Sequence, residues 1–150
     1  MTKLITFLIR MELFKIYREI GRSIAVKRIF ISFAKEDERL RDFLRGQARN
    51  ENSPFEFVDM SVKEPWDSKW KTNCRIRIKG CDGVISIITK NTKHADGQIW
   101  EMKCAKEENI PIVGIYGYDD HSGATIPSEC GYIRIMDWTW RNISNWINNL

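Results

Sequence analysis

Histidine, proline and cysteine are scarce in this chain. It has two, four and four of them in 150 residues, and each scarcity removes a class of chemistry. His94 and His121 have no obvious serine and aspartate partners, so a Ser-His-Asp triad has little to draw on. Cys74, Cys81, Cys104 and Cys130 form no CxxC pair, and the spacing of a structural zinc site is missing. They read as reduced thiols, mostly in the core, of a cytosolic protein. No Lys/Arg block stands out among 24 basic and 20 acidic residues, and a net charge of +4 gives nucleic-acid binding little support. The longest apolar run near the start, residues 4–9, is broken by Thr6 and stopped by Arg10. It is too short to span a bilayer and lacks a signal-peptide cleavage site. Glycine is missing from the turn Ser32-Phe33-Ala34-Lys35-Glu36-Asp37, which excludes a phosphate-cradling loop or dinucleotide fingerprint there. There is no GxSxG elbow.

What is present is enough for one globular domain. Hydrophobic residues make up 43% and charged residues 29%, and a chain of this length buries roughly 68–70% of its unfolded surface. Residues 27–33 carry the run Ile29-Phe30-Ile31 without polar alternation, as expected of a strand covered on both faces. The same reading gives strands at 55–59, 84–89, 111–116 and 131–136. Helices are predicted at 37–49 with Leu40, Phe43 and Leu44 inward, and from Asp67 to Gly80 with Trp70, Cys74, Ile78 and Cys81 on one face. Further helices are predicted at 98–109, with Ile99, Met102 and Ala105 inward, and at 139–150. Residues 117–130 read as a long irregular stretch. Alternating strands and helices give a doubly wound α/β domain with a parallel five-stranded sheet, in the flavodoxin-like order 2-1-3-4-5.

Residues 1–26 precede this alternation. Ile9, Leu13, Ile16 and Ile20 recur at 4-3-4 spacing, the stripe of an added helix. It either packs on its own domain or forms a contact between protomers.

In such a sheet ligands bind at the carboxyl ends of the strands. Five turns share that rim. They carry Ser32, Phe33, Ala34 and Asp37; Asp59, Ser61, Trp66 and Trp70; Thr89, Asn91 and Thr92; Gly117, Tyr118 and Asp119; and Asp137 and Trp138. Glu101 sits near the rim, in the first turn or so of the third core helix. Aromatic rings stack on heterocycles, and a carboxylate holds sugar hydroxyls or stabilises an oxocarbenium-like transition state. This set suits a nucleoside or nucleotide whose N-glycosidic bond is cut. Taken singly, each residue is more often structural: the tryptophans as core or edge packing, Asp59 as a strand-end cap and Glu101 as a solvated carboxylate at a helix start.

The segment FISFAKEDERLRDFL resembles the first box of TIR domains, and FVDMS, Trp70, RIRIKGCDGVISIITKNT and EMKCAKEENIPIVGIY follow in TIR order. The likeness covers residues 27–146 and is strongest to the prokaryotic anti-phage, Thoeris-type TIR proteins. After the helical extension at 1–26, it implies a TIR-like domain at 27–150 and an activity that consumes NAD as substrate with no separate cofactor and no metal. By that resemblance Glu101 is the catalytic residue. Ser32, Phe33 and Ala34 would line the nicotinamide side, and Asp59, Ser61, Trp70 and Trp100 would border the cleft. TIR enzymes commonly carry a tryptophan four residues before the glutamate; Gly97 stands there, and Trp100 precedes Glu101 directly. Self-assembly, a phage-derived trigger and an effector reached through a nucleotide product are the partners implied, in the cytoplasm and without a membrane. The competing expectations are a non-enzymatic TIR interaction module, a deoxyribosyltransferase-like enzyme and a nucleic-acid-binding accessory protein.

Overall fold

A computed structural model describes residues 2–24 (side chains through 20), 26–53, 55–60 and 67–150. After helix α1 (Thr2–Ile24) come β1 (Arg28–Ser32), α2 (Glu38–Asn50), β2 (Glu56–Val58), α3 (Ser68–Lys79) and β3 (Gly83–Ile88). Then follow α4 (Asp96–Glu107), β4 (Ile112–Tyr116), β5 (Ile135–Met136) and α5 (Trp140–Asn148). The five strands pair in parallel in the order β2-β1-β3-β4-β5, the flavodoxin-like arrangement that the alternation predicts.

Strand parity sorts the two faces, because successive side chains point to opposite sides. Ile29, Ile31, Ile85, Ile87, Val113 and Ile115 pack with Leu44 of α2 and with Ile143 and Ile147 of α5. Phe30 and Val84 face the other way, onto Trp70, Cys74 and Ile78 of α3 and onto Cys104 and Ala105 of α4. β1 from Ile29 onward and all of β3 are buried, which is why neither shows polar alternation. The predicted α3 stripe is real: Trp70, Cys74, Ile78 and Cys81 are at most 6% exposed. Asp67 caps that helix by accepting from the Lys69 amide at 2.8 Å.

Three expectations need correction. Phe43 does not face the core; it is 65% exposed, and its ring meets Trp138 edge-on at 5.8 Å. Leu40 and Leu44, four residues apart, hold the inward face of α2 and turn Phe43 aside. Asp37 stands one residue before α2, at its N-cap position, with no side-chain cap bond. It ends a short 3-10 turn, Lys35–Asp37, and its side chain is buried. Strand five is only Ile135–Met136. A 3-10 turn occupies Ser128–Cys130, and Gly131, at φ 73°, turns the chain before it reaches the edge of β4.

All four cysteines are free and buried. Among the described residues, no helix is long and apolar enough to cross a membrane, and no group of three or more His, Cys, Asp or Glu could hold a metal ion.

Candidate functional site

β1 and β3 are neighbours, and their register sets Ser32 beside Ser86. Both side chains lie on the α3/α4 side of the sheet, one step beyond Phe30 and Val84. α4 crosses above them. Its Gln98 and Glu101, three residues apart, share one helix face and meet the two serines. Ser32 Oγ donates to Glu101 Oε1 at 3.0 Å. Gln98 Nε2 donates to Ser86 Oγ at 2.9 Å and to the Ile87 carbonyl at 2.7 Å. Because a carbonyl only accepts, the contact with Ile87 fixes the orientation of the amide. Among the described residues, Gln98 Oε1 is then left buried with no hydrogen-bond partner. Cys74 of α3 approaches Glu101 Oε2 at 3.9 Å. The site is thus a small polar island in an apolar layer, with Ser32, Ser86, Gln98 and Glu101 at most 1% exposed.

Glu101 lies in the second turn of α4, since the helix begins at Asp96. Its carboxylate points back to the sheet at the end of β1, onto Ser32. It is also fully buried, so any substrate reaches it only if the surrounding wall opens.

The other predicted residues divide. Trp70 is buried at the α3/α4 contact and meets Trp100 edge-on at 5.4 Å; the Arg75 guanidinium lies 5.4 Å from the Trp100 ring centre. Hydrogen bonds to Glu107 and Glu108 hold the Arg75 pKa above its ordinary value, against a smaller lowering by burial. Both rings are on the Glu101 side. The Phe33 ring is on the opposite side, in the cluster with Leu44, with the Arg41 guanidinium 5.0 Å from its centre. Ala34 is buried at the turn. Asp59 is engaged elsewhere: its carboxylate accepts from Arg41 at 3.1 Å and pairs with Arg45 at 3.0 Å, and its carbonyl accepts from Arg77 at 2.8 Å. Burial is the largest single influence on Arg41 and lowers its pKa, but the hydrogen bonds and charges of Asp59 and Asp42 together leave it raised. Ser61 and Trp66 lie outside the described residues.

Sequence reasoning missed Gln98 and Ser86. The available signals were the i, i+3 spacing of Gln98 to Glu101 and the polar Ser86 inside an otherwise apolar strand.

Two further features frame the rim. Asp37, 2% exposed, accepts from Thr89 Oγ1 at 2.5 Å and from Asn91 Nδ2 at 3.0 Å, tying the turn after β1 to the turn after β3. Thr92 and Asn91 complete this knot through the Thr89 amide and hydroxyl. On the α2 side, a cleft of about 730 Å³ opens at the ends of β4 and β5, lined by Phe43, Tyr116, Tyr118, His121 and Trp138 among others. His121 stacks on Tyr116 at 3.6 Å. Glu101 does not line this cleft.

Residues 30–122 match the family model of the Thoeris protein ThsB, TIR-like domain. No curated protein matches the chain. The matched span runs from within β1 past β4, so it contains both halves of the Ser32–Glu101 contact.

Proposed function

The chain belongs to the Thoeris ThsB TIR-like family, and from that premise we propose that it cleaves the bond between nicotinamide and ribose in NAD. The observation that carries this reading is the buried contact between Ser32 and Glu101 at the carboxyl end of β1. When the N-glycosidic bond breaks, positive charge develops on the ribose. A carboxylate held in a dry, low-dielectric setting stabilises that charge more strongly than one in water. Glu101 supplies the carboxylate; the Ser32 hydroxyl positions it from β1. Trp70 and Trp100, on the same side of the sheet, supply the apolar wall. Departing nicotinamide leaves a ribosyl cation to be taken by an internal nucleophile, an adduct-forming acceptor or water. The product would be a nucleotide signal in anti-phage defence.

Concentrated protein incubated with NAD, with lysate of phage-infected cells as trigger, tests this by chromatography of the nucleotides. Wild-type protein is expected to deplete NAD and release nicotinamide, and Glu101→Gln to leave NAD intact. Identical profiles for the two proteins in the triggered sample would overturn the reading.

The full burial of Glu101 favours a second reading, a TIR interaction module in which this carboxylate is structural. It predicts no NAD loss under any condition and a lower unfolding midpoint for Glu101→Gln.

A further inference from the structure

The cleft at the ends of β4 and β5 stands apart from the Ser32–Glu101 contact, and the chemistry proposed for Glu101 makes no use of it. Its volume, about 730 Å³, falls within the range of roughly 300–1,000 Å³ that small-molecule sites occupy. Rings form much of its wall. Trp138, just past β5, is held in place twice. Its indole N–H donates to Gln47 Oε1 at 2.8 Å, and the Phe43 ring of α2 meets it edge-on at 5.8 Å. Tyr116, the last residue of β4, stacks on His121 at 3.6 Å with the two rings 10° apart. Phe43 and Tyr118 are 65% and 56% exposed. Apolar surface gathered in one hollow, unlike single exposed side chains, marks a contact.

Charge narrows the occupant. The chain carries 24 Lys and Arg against 20 Asp and Glu. Even so, none of the described residues lining this cleft is Lys or Arg, while Asp119 and Asp137 both line it. His121 Nε2 lies 3.9 Å from Asp137 Oδ1. A protonated imidazole would therefore have its counter-ion at hand, and the Asp119 charge would still be unanswered. A phosphate or carboxylate finds no basic side chain here. A cation finds two carboxylates and the negative faces of several rings, which attract it further.

We infer that the cleft binds a small, flat organic cation, of the class of N-alkylated aromatic heterocycles, and turns anions away. A neutral ring would stack equally well but gain nothing from Asp119 and Asp137. A compact ammonium would gain the charge and leave the rings unfilled. An arginine from a partner protein is flat and cationic, but its guanidinium would fill only part of a hollow this size. Intact NAD, with two phosphates, is disfavoured in the cleft. The inference is therefore independent of whether Glu101 cleaves anything.

Titration of the full chain with 1-methylquinolinium tests it, followed through the indole N–H resonance of Trp138 at mildly alkaline pH, where imidazoles are neutral. The resonance is assigned by its loss in Trp138→Phe. The cation is expected to move it in a saturable way. Quinoline, neutral and of nearly the same shape, is expected to bind at least about threefold more weakly, and quinoline-4-carboxylate not to bind. Phe43→Ala/Tyr118→Ala, chosen because both side chains are exposed, is expected to weaken the cation at least about fivefold. Asp119→Asn/Asp137→Asn is expected to bring the cation down to the affinity of quinoline. A cation that produces no saturable shift overturns the proposal, as does equal affinity for cation and neutral ring. So does binding that both double variants leave unchanged. Tighter binding of N-acetylarginine amide than of the quinolinium would also overturn it, by assigning the cleft to a side chain of a protein partner.

Discussion

Ser32 Oγ and Glu101 Oε1 are 3.0 Å apart, although 69 positions separate the two residues in sequence. The contact joins the last residue of β1 to the second turn of α4, and both partners are fully buried. A carboxylate in such a place depends on its hydrogen bonds.

Ser32→Ala removes one of them. The expected loss is about 1–3 kcal/mol of unfolding free energy, the range for a buried acceptor deprived of a donor. Urea denaturation measures it. If Glu101 is catalytic, the same substitution lowers NAD turnover more than apparent NAD affinity, because Ser32 acts through the carboxylate. A Ser32→Ala protein with wild-type midpoint and turnover would remove Ser32 from both roles.

The knot of Asp37, Thr89 and Asn91 predicts energetic coupling between two turns distant in sequence. Asp37→Asn and Thr89→Ala should each destabilise, and the double variant should lose less than the sum of the two, since each breaks the same 2.5 Å contact. Strict additivity in a denaturation cycle would show that the turns are held by their backbones alone.

Asp59 gives a sharper case. Its side chain is 4% exposed and that of Arg41 is 8% exposed. Asp59→Ala leaves the Arg41 cation buried without its main counter-ion, and breaking a pair in this way costs about 3–5 kcal/mol. Arg45, more exposed at 37%, has water as a substitute partner, so Arg45→Ala should cost far less. A small effect of Asp59→Ala on the thermal midpoint would mean that Arg41 finds new partners in Glu38 and Asp42, which it already contacts.

The cysteines predict an alkaline limit. Burial raises the thiols of Cys81 and Cys104 from the ordinary 9.0 to about 11. In the unfolded chain they ionise near 9, so above that pH the folded state holds more protons than the unfolded one. Stability conferred by the neutral thiols is therefore complete below pH 9 and declines from there to about 11. Unfolding midpoints across this window should fall less steeply in Cys81→Ala/Cys104→Ala than in wild type. Thiol-reactive dyes at neutral pH should label the native protein slowly and the denatured protein fully.

Gly117 marks a close approach at the rim. A Cβ there would lie 2.7 Å from Thr89 Cγ2 and 2.8 Å from Leu40 Cδ1. Gly117→Ala should cost about 1–3 kcal/mol through overpacking, readable as a lower urea midpoint. An unchanged midpoint would mean that Leu40 can turn away freely.

The strands and helices were legible because each signal is local. The apolar run Ile29-Phe30-Ile31 suits a strand covered on both faces, and although residues 75–78 alternate like a strand, the longer Trp70, Cys74, Ile78 stripe favours a helix. Their alternation narrows the topology, since parallel strands need right-handed crossovers. That Glu101 stands early in α4 was likewise legible from the spacing of that helix.

Which carboxylate meets which partner was not legible. Asp59 and Glu101 look alike in sequence, but packing gives the first to Arg41 and Arg45 and the second to Ser32. Phe33 and Ser32 are adjacent, but the pleat sends one ring toward α2 and one hydroxyl toward α4. Side-chain pairing across a sheet depends on register and on the height at which each helix crosses. Both are set only when the whole chain has closed on itself.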